Sequence, residues 1–387
     1  MPPTFVDFSL RMVDPDFSSR LTDVVMELEQ LRQLELSGDT PAAMFFQLKD
    51  ILHTLGSLGT ARFGVDHATL LDCLAGNDDN STAASETVRE IRHVERAMGY
   101  VDEVLHAGGE ITERLICELH RISMDGLSHE GDKTPGQYRD GEVRIVESLH
   151  LPPDPVRIAG FMQELVEFIN RADAPKYDLL KMALANHRFC WIHPFNNGNG
   201  RVVRLLSYAM MIRSGFNVQA GGRALNPTAV FCTDRVTSYA KLSAADTGSD
   251  AGLQAWCLHV LNGVRDELKK LECLTRYDYL RDEILEPALA YCKELELMTD
   301  HEEALLAMAI SQRKLMASDL DGVLADMTPY QRSHQLAHLL AIHWIRPVAE
   351  AADTYTINFT RSPLLRGVIH ALEQKGFVPP LAKAART

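Results

Sequence analysis

Apolar residues recur at intervals of three and four positions along most of this chain, a spacing typical of amphipathic helices. Ser19 and Thr40 precede two such stretches and are candidate N-caps, while Gly108 follows a third and is a candidate C-cap. A polar segment, residues 76–81, separates the second stretch from the third. The pattern predicts helices over residues 21–36, 41–55, 88–107, 156–170, 254–271 and 277–297.

The C-terminal part of the chain has a different order of elements. Its pattern predicts three helices, over residues 301–315, 317–325 and 330–345. Thr328-Pro329 is a typical start for the third, because proline fits the first helical turn. From residue 354 to 360, apolar and polar residues alternate, which predicts a strand. The predicted fold class is therefore mainly α.

One short segment, residues 192–204, concentrates the candidate chemistry. Gly198 and Gly200 flank Asn199, so the backbone can adopt positive φ and approach a ligand closely, and consecutive amides in such a turn bind anions. Arg201 and Arg204 are three positions apart and share one helix face, where their planar donor groups match phosphate oxygens. The helix itself is predicted from the apolar run that follows, residues 205–212.

His193 precedes this loop and can accept a proton near neutral pH. Together these residues predict a polyphosphate site with a general base at its edge. The alternative is a plain loop or hairpin turn with exposed arginines, since Asn-Gly is also a strong hairpin pattern. A hairpin would need alternating strands on both sides, and residues 201–212 do not alternate.

The segment resembles the signature of the Fic family, H-x-F-x-(Asp/Glu)-G-N-G-R-x-x-R, at every fixed position except the acidic one. The resemblance implies a transferase that moves AMP from ATP to a hydroxyl of a target protein. It implies that His193 deprotonates this hydroxyl and that Phe195 packs inward to anchor the loop. It also implies a set of phosphate-binding residues, which is Gly198, Asn199, Gly200, Arg201 and Arg204.

The resemblance extends over roughly residues 100–260. Residues 134–145, here called the flap segment, are similar to the family's flap hairpin, in which Val143, Arg144 and Ile145 would pair with the target strand and align its hydroxyl. Asp140-Gly141 between two β-favouring runs independently predicts a hairpin. The implied fold is a Fic-type helical bundle with a small β-hairpin flap. The predicted domains are an N-terminal helical region (1–100), the Fic core (101–275) and a C-terminal winged-helix-like domain (276–387).

The sequence departs from the family pattern at Asn197. The family has a carboxylate at this position, which helps to hold a magnesium ion on the ATP phosphates. Magnesium sites of this type use only one or two carboxylates besides the phosphates, so the amide removes a full charge, although its oxygen could still coordinate the ion. We therefore expect ATP as the substrate and weakened Mg²⁺ binding at Asn197, with reduced metal use, a different reaction or lost activity as the consequence.

A second departure concerns inhibition. Many Fic proteins carry a segment Ser/Thr-x-x-x-Glu-(Gly/Asn), whose glutamate pairs with the second arginine of the motif. Residues 60–70 resemble that segment, with Thr60 at the hydroxyl position and Gly64 in place of the glutamate. The segment is thus a candidate degenerate inhibitory segment; the alternative is a helix end that Gly64 caps.

Composition narrows the function classes. The net charge of −14 argues against non-specific nucleic-acid binding by the whole protein, and without a run of 18 apolar residues no membrane partner is expected. The seven cysteines include no C-x-x-C pair, which fits a reducing cytoplasm and argues against zinc or a disulfide framework. Cys190 falls in an apolar stretch and is expected to be a buried structural thiol. Because the first residues show no basic-then-apolar leader, the expected localisation is cytoplasmic.

The C-terminal order of elements resembles a winged helix, a module found at the C-terminus of many Fic proteins. Gln331, Arg332, Gln335 and His338 are expected on the exposed face of its third helix, and such side chains can contact base edges. A DNA-binding domain usually carries a basic patch, whereas residues 301–387 hold 9 Lys/Arg against 8 Asp/Glu. Protein docking or a homodimer is therefore favoured over DNA, through apolar residues of the same helix. These are Leu336, Ala337, Leu339, Leu340 and Ile342.

The leading hypothesis is a protein nucleotidyltransferase (AMPylation) with His193 as general base and an unknown target protein. The alternative is a catalytically weakened or altered Fic protein that binds a phosphate ligand as a regulator, with DNA binding through the C-terminal domain as one form. A third is chemistry on another nucleotide or a phosphodiester-linked head group, since fold resemblance alone does not decide the reaction. His193, Arg201 and Arg204 favour the first hypothesis, and Asn197 favours the second.

Overall fold

The computed structural model describes residues 3–32, 38–48, 51–52, 86–128, 131–145, 148–216, 235–348, 351, 353–360 and 362–377. Thr60, Gly64 and the polar segment 76–81 lie outside these residues. Within them the protein is mainly helical, as predicted, with one three-stranded antiparallel sheet. No helix in these ranges combines the length and apolar character needed to cross a bilayer.

The helices predicted over residues 21–36, 88–107, 156–170, 254–271 and 277–297 overlap helices of the structure. The helices of the described residues follow in chain order. They are α1 (Arg20–Arg32), α2 (Glu86–Val104), α3 (Glu113–Met124), α4 (Ile158–Asn170), α5 (Asp178–Ile192), α6 (Asn199–Arg213), α7 (Arg235–Ala245), α8 (Asp250–Thr275), α9 (Tyr277–Leu280), α10 (Glu286–Glu294), α11 (Asp300–Ser311), α12 (Leu320–Val323), α13 (Pro329–Ala341) and α14 (Leu364–Gln374). Residues 42–48 are also helical. A π-helical turn, Arg281–Leu285, joins α9 to α10.

Helices α5 and α6 form the centre of the bundle. Their side chains are buried on almost every face, as expected for helices enclosed by others. The two helices pack against each other; α4 and α8 pack on α5, and α2 and α3 pack on α6. The short loop between α5 and α6 therefore emerges from the best-packed part of the molecule, and this position restricts its movement.

The C-terminal part contains α11, β1 (Leu315–Met316), α12, α13, β2 (Ile345–Pro347) and β3 (Thr354–Ile357) in chain order, and its sheet has the order β1-β3-β2. The strand predicted from residues 354–360 is confirmed. The helices predicted over 301–315 and 330–345 end earlier, because Arg313 (φ 66°) and His343 (φ 61°) adopt left-handed conformations and the chain then enters β1 and β2. That this part is a winged helix stays a prediction.

The apolar residues of α13 differ in burial. Leu339 is fully buried, Leu336, Leu340 and Ile342 are half-buried and pack against the core, and Ala337 is exposed. A docking role for this helix stays a prediction. Arg332, four positions before Leu336 and so on the same side of the helix, lies in an ion pair with Asp321.

The predicted β-hairpin flap is not formed as paired strands, because residues 131–145 contain no strand. The backbone of this stretch bonds instead to its surroundings. Arg139 N–H donates to Pro194 O at 2.8 Å, and the Arg139 guanidinium donates to Gly141 O at 2.8 Å. Because the Arg139 N–H is bonded to Pro194 O, it is not available for a hydrogen bond between the two predicted strands.

Candidate active site

His193 lies at the end of α5 in a left-handed conformation, with φ 51° and ψ 60°. This conformation is uncommon for a residue other than glycine and persists where surrounding contacts enforce it. The ring Nδ1 lies 3.4 Å from Cys190 O, so the tautomer that donates there leaves Nε2 as the proton acceptor. Burial, reinforced by the positive charge of Arg139, lowers the pKa of His193 to about 4. The imidazole is therefore neutral near pH 7, in the form that a general base needs.

Arg139 holds the turn that presents His193. Its side chain is 3% exposed, and its Nε donates to His193 O at 2.8 Å. The same guanidinium donates to Pro153 O at 2.6 Å and to Ile192 O at 3.4 Å. Helices end with carbonyl groups that lack intrahelical partners, and here one buried arginine satisfies two such carbonyls. The desolvation of this cation lowers its pKa from the usual arginine value.

His150 completes the support of the same helix end. Its Nε2 donates to Trp191 O at 2.8 Å, and its ring stacks on the Trp191 ring with centroids 5.5 Å apart. Phe5 and Phe8 of the N-terminal segment cover the other side of Trp191. The carbonyls from Trp191 to Pro194 are thus each bonded to a residue from another part of the chain.

Residues 193–200, here called the motif loop, are closed by the side chain of Asn199. Asn199 Oδ1 accepts from Phe195 N–H at 3.0 Å, and Asn199 Nδ2 donates to Phe195 O at 2.8 Å. Gly198 has φ 73°, and a Cβ there would lie 2.4 Å from Met124 Sδ. Both its conformation and its neighbour therefore require glycine at this position.

Phe195 is fully buried, as the resemblance implied, and stacks on the imidazole of His120 with centroids 3.8 Å apart and planes at 3°. His120 Nδ1 accepts from Gly136 N–H at 2.8 Å, while its Nε2 donates to Asn197 O at 3.2 Å. His120 therefore joins the flap segment to the motif loop. Because its neutral form makes both bonds, the lowered pKa that burial causes favours this arrangement.

The two arginines of the motif have different surroundings. Arg204 lines the same cavity as His193. Arg201 is 5% exposed, with its guanidinium 3.3 Å from Glu90 Oε2 on α2 and 3.3 Å from Met124 Sδ. The structure thus places Arg204 beside the proposed base and Arg201 in the bundle interior.

A cavity of about 260 Å³ opens beside the motif loop. Its lining includes His193, Gly200 and Arg204, and Gly200 belongs to the first turn of α6. It also includes Tyr239, Leu242 and Trp256. An anionic group with a flat apolar attachment matches a lining that contains both kinds of residue.

The flap residues differ in their relation to this cavity. Ile145 lines it, Val143 is half-buried and Arg144 is exposed. Cys190 also lines the cavity, and burial raises the pKa of its thiol to about 12, so it stays protonated as expected of a structural cysteine.

Sequence reasoning assigned no role to Arg139, His120, Asp132 or Glu90, although all four contact the motif loop or its arginine. They lie 53 to 111 positions before the residues they touch, and nothing in a single sequence distinguishes a buried arginine or glutamate from an exposed one.

The donor groups of the motif loop do not fit the magnesium ligand that the resemblance implied. Asn197 Oδ1 accepts from Gly198 N–H at 2.8 Å and so is turned into its own loop. The carboxylate beside it, Asp132, accepts from Asn197 N–H at 3.2 Å and from Thr134 N–H at 2.9 Å, one bond to each oxygen. Across the described residues, no group of three or more His, Cys, Asp or Glu side chains is arranged to hold a metal ion.

Comparison with known proteins gives a family match over part of the chain. The Fic/DOC family model matches residues 110–211, which include α3, α5, the motif loop and most of α6. Curated relatives named protein adenylyltransferase Fic are 29% identical in Drosophila ananassae and 28% identical in Drosophila melanogaster, each over 214 residues. These alignments cover 51% of this chain and 41% and 42% of the relatives, so the chain spans about two fifths of their length.

A solved structure of a Fic family protein from Desulfovibrio desulfuricans G20 has a similar fold. Its TM-score is 0.51 at 18% sequence identity, and the match covers 91% of this chain and 98% of the other. At this identity the likeness concerns the fold alone, and it extends over nearly the whole of both chains. The chain described here therefore carries a domain of the Fic/DOC family at residues 110–211 and has the Fic fold.

Proposed function

We propose that this protein transfers AMP from ATP to a hydroxyl group of a target protein, with His193 as the general base. The family domain and the adenylyltransferase name of the relatives support the class of reaction. The single observation that carries the proposal within this chain is the neutral, immobilised imidazole of His193 beside Arg204 in one cavity.

The proposed reaction is a nucleophilic displacement at the α-phosphorus of ATP. The target hydroxyl oxygen forms a bond to this phosphorus while the bond to the bridging oxygen of the β-phosphate breaks. Pyrophosphate leaves, and the hydroxyl proton passes to His193 Nε2. A base held in place and already deprotonated contributes about 10²- to 10⁴-fold to such a step.

Nucleotide binding is assigned to the polar and the apolar residues that line the cavity. Arg204 and the amides at the start of α6 would hold phosphate oxygens, because a helix N-terminus with a neighbouring arginine favours anions. Leu242 and Trp256 would contact the adenine ring of the nucleotide. Arg201, paired with Glu90, would act on the loop from the interior instead of contacting the nucleotide.

The target segment is assigned to the exposed side of the flap segment. Residues 143–145 form no strand, so their backbone groups can pair with an extended peptide. Ile145 lines the cavity and would set the position of the target hydroxyl relative to His193.

The test is transfer of label from ATP that carries ³²P at the α-position, with the full chain and a cell lysate as the source of targets. We expect labelled protein with the wild-type chain and at least about 100-fold less with His193→Ala. His334→Ala, an exposed histidine on α13, is the matched control and should label normally. Absence of label from every protein, although ATP binds, would overturn the proposal.

A second candidate function, nucleotide binding without transfer, is favoured by Asn197. The side-chain oxygen of this residue is turned toward Gly198 N–H, and its amide replaces the carboxylate of the family pattern. In that case calorimetry would detect ATP binding that needs Arg204, while the label would stay on the free nucleotide.

The homodimer stays a prediction that sedimentation can check. For DNA binding, α13 offers no support, because its Arg332 is paired with Asp321.

A further inference from the structure

Asn197 uses each of its four hydrogen-bonding groups within the protein. Its N–H donates to Asp132 Oδ2 at 3.2 Å, and its side-chain Nδ2 donates to Gly131 O at 3.3 Å. Its carbonyl oxygen accepts from His120 Nε2 at 3.2 Å, and its Oδ1 accepts from Gly198 N–H at 2.8 Å. Three of these four bonds lead away from the motif loop, to residues 120, 131 and 132.

Asp132 is oriented by the same set of contacts. Its Oδ1 accepts from the N–H and the hydroxyl of Thr134, at 2.9 and 3.2 Å, and its Oδ2 lies 3.6 Å from His120 Nε2. The side chains of Asp132 and His120 are 0% exposed. A buried carboxylate is stable only where hydrogen-bond donors surround it, and one of those donors is the backbone of Asn197.

The carboxylate at this site thus belongs to Asp132, two positions before the flap segment, and the amide belongs to the motif loop. A carboxylate at position 197 would present an oxygen to Gly131 O, where Nδ2 now donates, and would add a second negative charge beside Asp132. Two acceptors in contact and two like charges out of water are both unfavourable. Asn197 therefore suits Asp132 chemically, and an acidic residue at 197 does not.

We propose that Asn197 is a positioning residue, not a metal ligand: paired with Asp132 and His120, it fastens the start of the flap segment to the motif loop. The pair sets the distance between the backbone that would receive the target and the loop that carries His193. This inference deepens the proposed function, on which its meaning for catalysis rests. It also gives the amide at position 197, where the family pattern has a carboxylate, a role of its own in this chain.

The test is hydrogen exchange on the full chain without nucleotide, which does not depend on any transfer activity. In Asn197→Asp we expect the amides of Asn197, Thr134 and Gly136 to exchange between about 5-fold and about 100-fold faster than in the wild type, as lost buried bonds predict. Asn196→Asp is the matched control: it introduces the same charge one residue earlier at an exposed position and should leave these amides unchanged.

A second substitution separates pairing from simple damage. Adding Asp132→Asn to the Asn197→Asp chain removes the second negative charge, so the part of the faster exchange that like-charge repulsion causes should be reversed. If circular dichroism shows that Asn197→Asp alone does not fold, Asp132→Asn alone tests the same link, because its amide would face donors at Thr134 and Asn197.

Metal binding is measured separately, by titrating the protein with Mn²⁺ in the absence of nucleotide and following the free ion by electron paramagnetic resonance. We expect Asn197→Asp to bind Mn²⁺ no more tightly than the wild type. Unchanged exchange in Asn197→Asp would overturn the proposal, and so would Mn²⁺ binding that tightens tenfold or more in this variant. Failure of the labelled-ATP experiment would leave all of these results interpretable, because none of them uses ATP.

Discussion

The motif loop and helix α13 are both rich in polar residues, yet their bonds differ in range. Besides local bonds such as those between Asn199 and Phe195, the motif loop bonds to residues 54 to 77 positions away, as with Arg139 for His193 and His120 for Asn197. In α13 the side-chain bonds are mostly local: the Thr328 hydroxyl and the Gln331 amide form a capping box three positions apart, and Arg332 bonds eight and eleven positions back. Tyr330 at its start is 80% exposed.

This difference predicts how strongly substitutions in each region affect the stability of the protein. A buried polar group with distant partners is costly to disturb, because every bond lost leaves a partner desolvated and unpaired. An exposed polar side chain with local bonds exchanges its partner for water at little cost. The motif loop should therefore respond strongly to conservative substitutions, whereas α13 should tolerate them.

The largest expected effect is that of Arg139→Ala. The substitution removes the donors of at least three buried carbonyls, so the free energy of unfolding should fall by about 3–5 kcal/mol and transfer by His193 should be lost. Urea unfolding checks the stability, and the exposed Arg144→Ala is the matched control, with a change within about 0.5 kcal/mol. Equal effects at the two arginines would contradict the role of Arg139.

Next in size is Gly198→Ala in the motif loop against Gly322→Ala in α12. The first forces a Cβ into positive φ and against Met124 Sδ, and should cost about 2–3 kcal/mol. The second adds a Cβ with no atom within 4 Å, inside a helix, and should be neutral or stabilise by up to about 1 kcal/mol. Thermal unfolding of both variants measures the contrast, and a neutral Gly198→Ala would show that the loop is looser than described.

A smaller effect is expected from Thr328→Ala at the start of α13. Loss of the capping box should lower the free energy of unfolding by about 1 kcal/mol, because the hydroxyl no longer accepts from Gln331 N–H. AMP transfer should be unaffected. Ser333→Ala, exposed in the middle of the same helix, serves as the control, and any loss of transfer in Thr328→Ala would mean that the two regions are coupled.

The smallest expected change is in the pH dependence of transfer. With the pKa of His193 lowered to about 4, the base stays neutral, and the rate should be level between pH 8 and 6, whereas an ordinary histidine would be half protonated near pH 6.5. Stability should behave differently. Below pH 6.5 His193 takes up a proton in the unfolded chain but not in the folded protein. The contribution of His193 to the free energy of unfolding is therefore complete above pH 6.5 and is lost as the pH falls toward 4. A rate that halves near pH 6.5 would mean that the pKa of His193 is that of an ordinary, solvated histidine, and would contradict this prediction.

Much of the fold could be predicted from the sequence, because it depends on local patterns. The period of apolar residues located α1, α2, α4, α8 and α10, and Thr328-Pro329 marked the start of α13 to the residue. The errors occurred where a helix runs into a strand, at Arg313 and His343, and in the flap segment. In each case a tertiary contact determines where the element ends, and periodicity does not register such contacts.

For the candidate site, the sequence by itself determined the chemistry of the motif loop: a histidine, a turn that needs glycine at 198, and two arginines at the start of a helix. Only the tertiary structure decided that Arg204 lines the cavity while Arg201 pairs with Glu90, that Arg139 holds the His193 turn, and that Asn197 faces Asp132. The physical reason is burial. Residue type states which bonds a group is able to make, but the protonation state and the partner of a polar group depend on which distant segments exclude water from it.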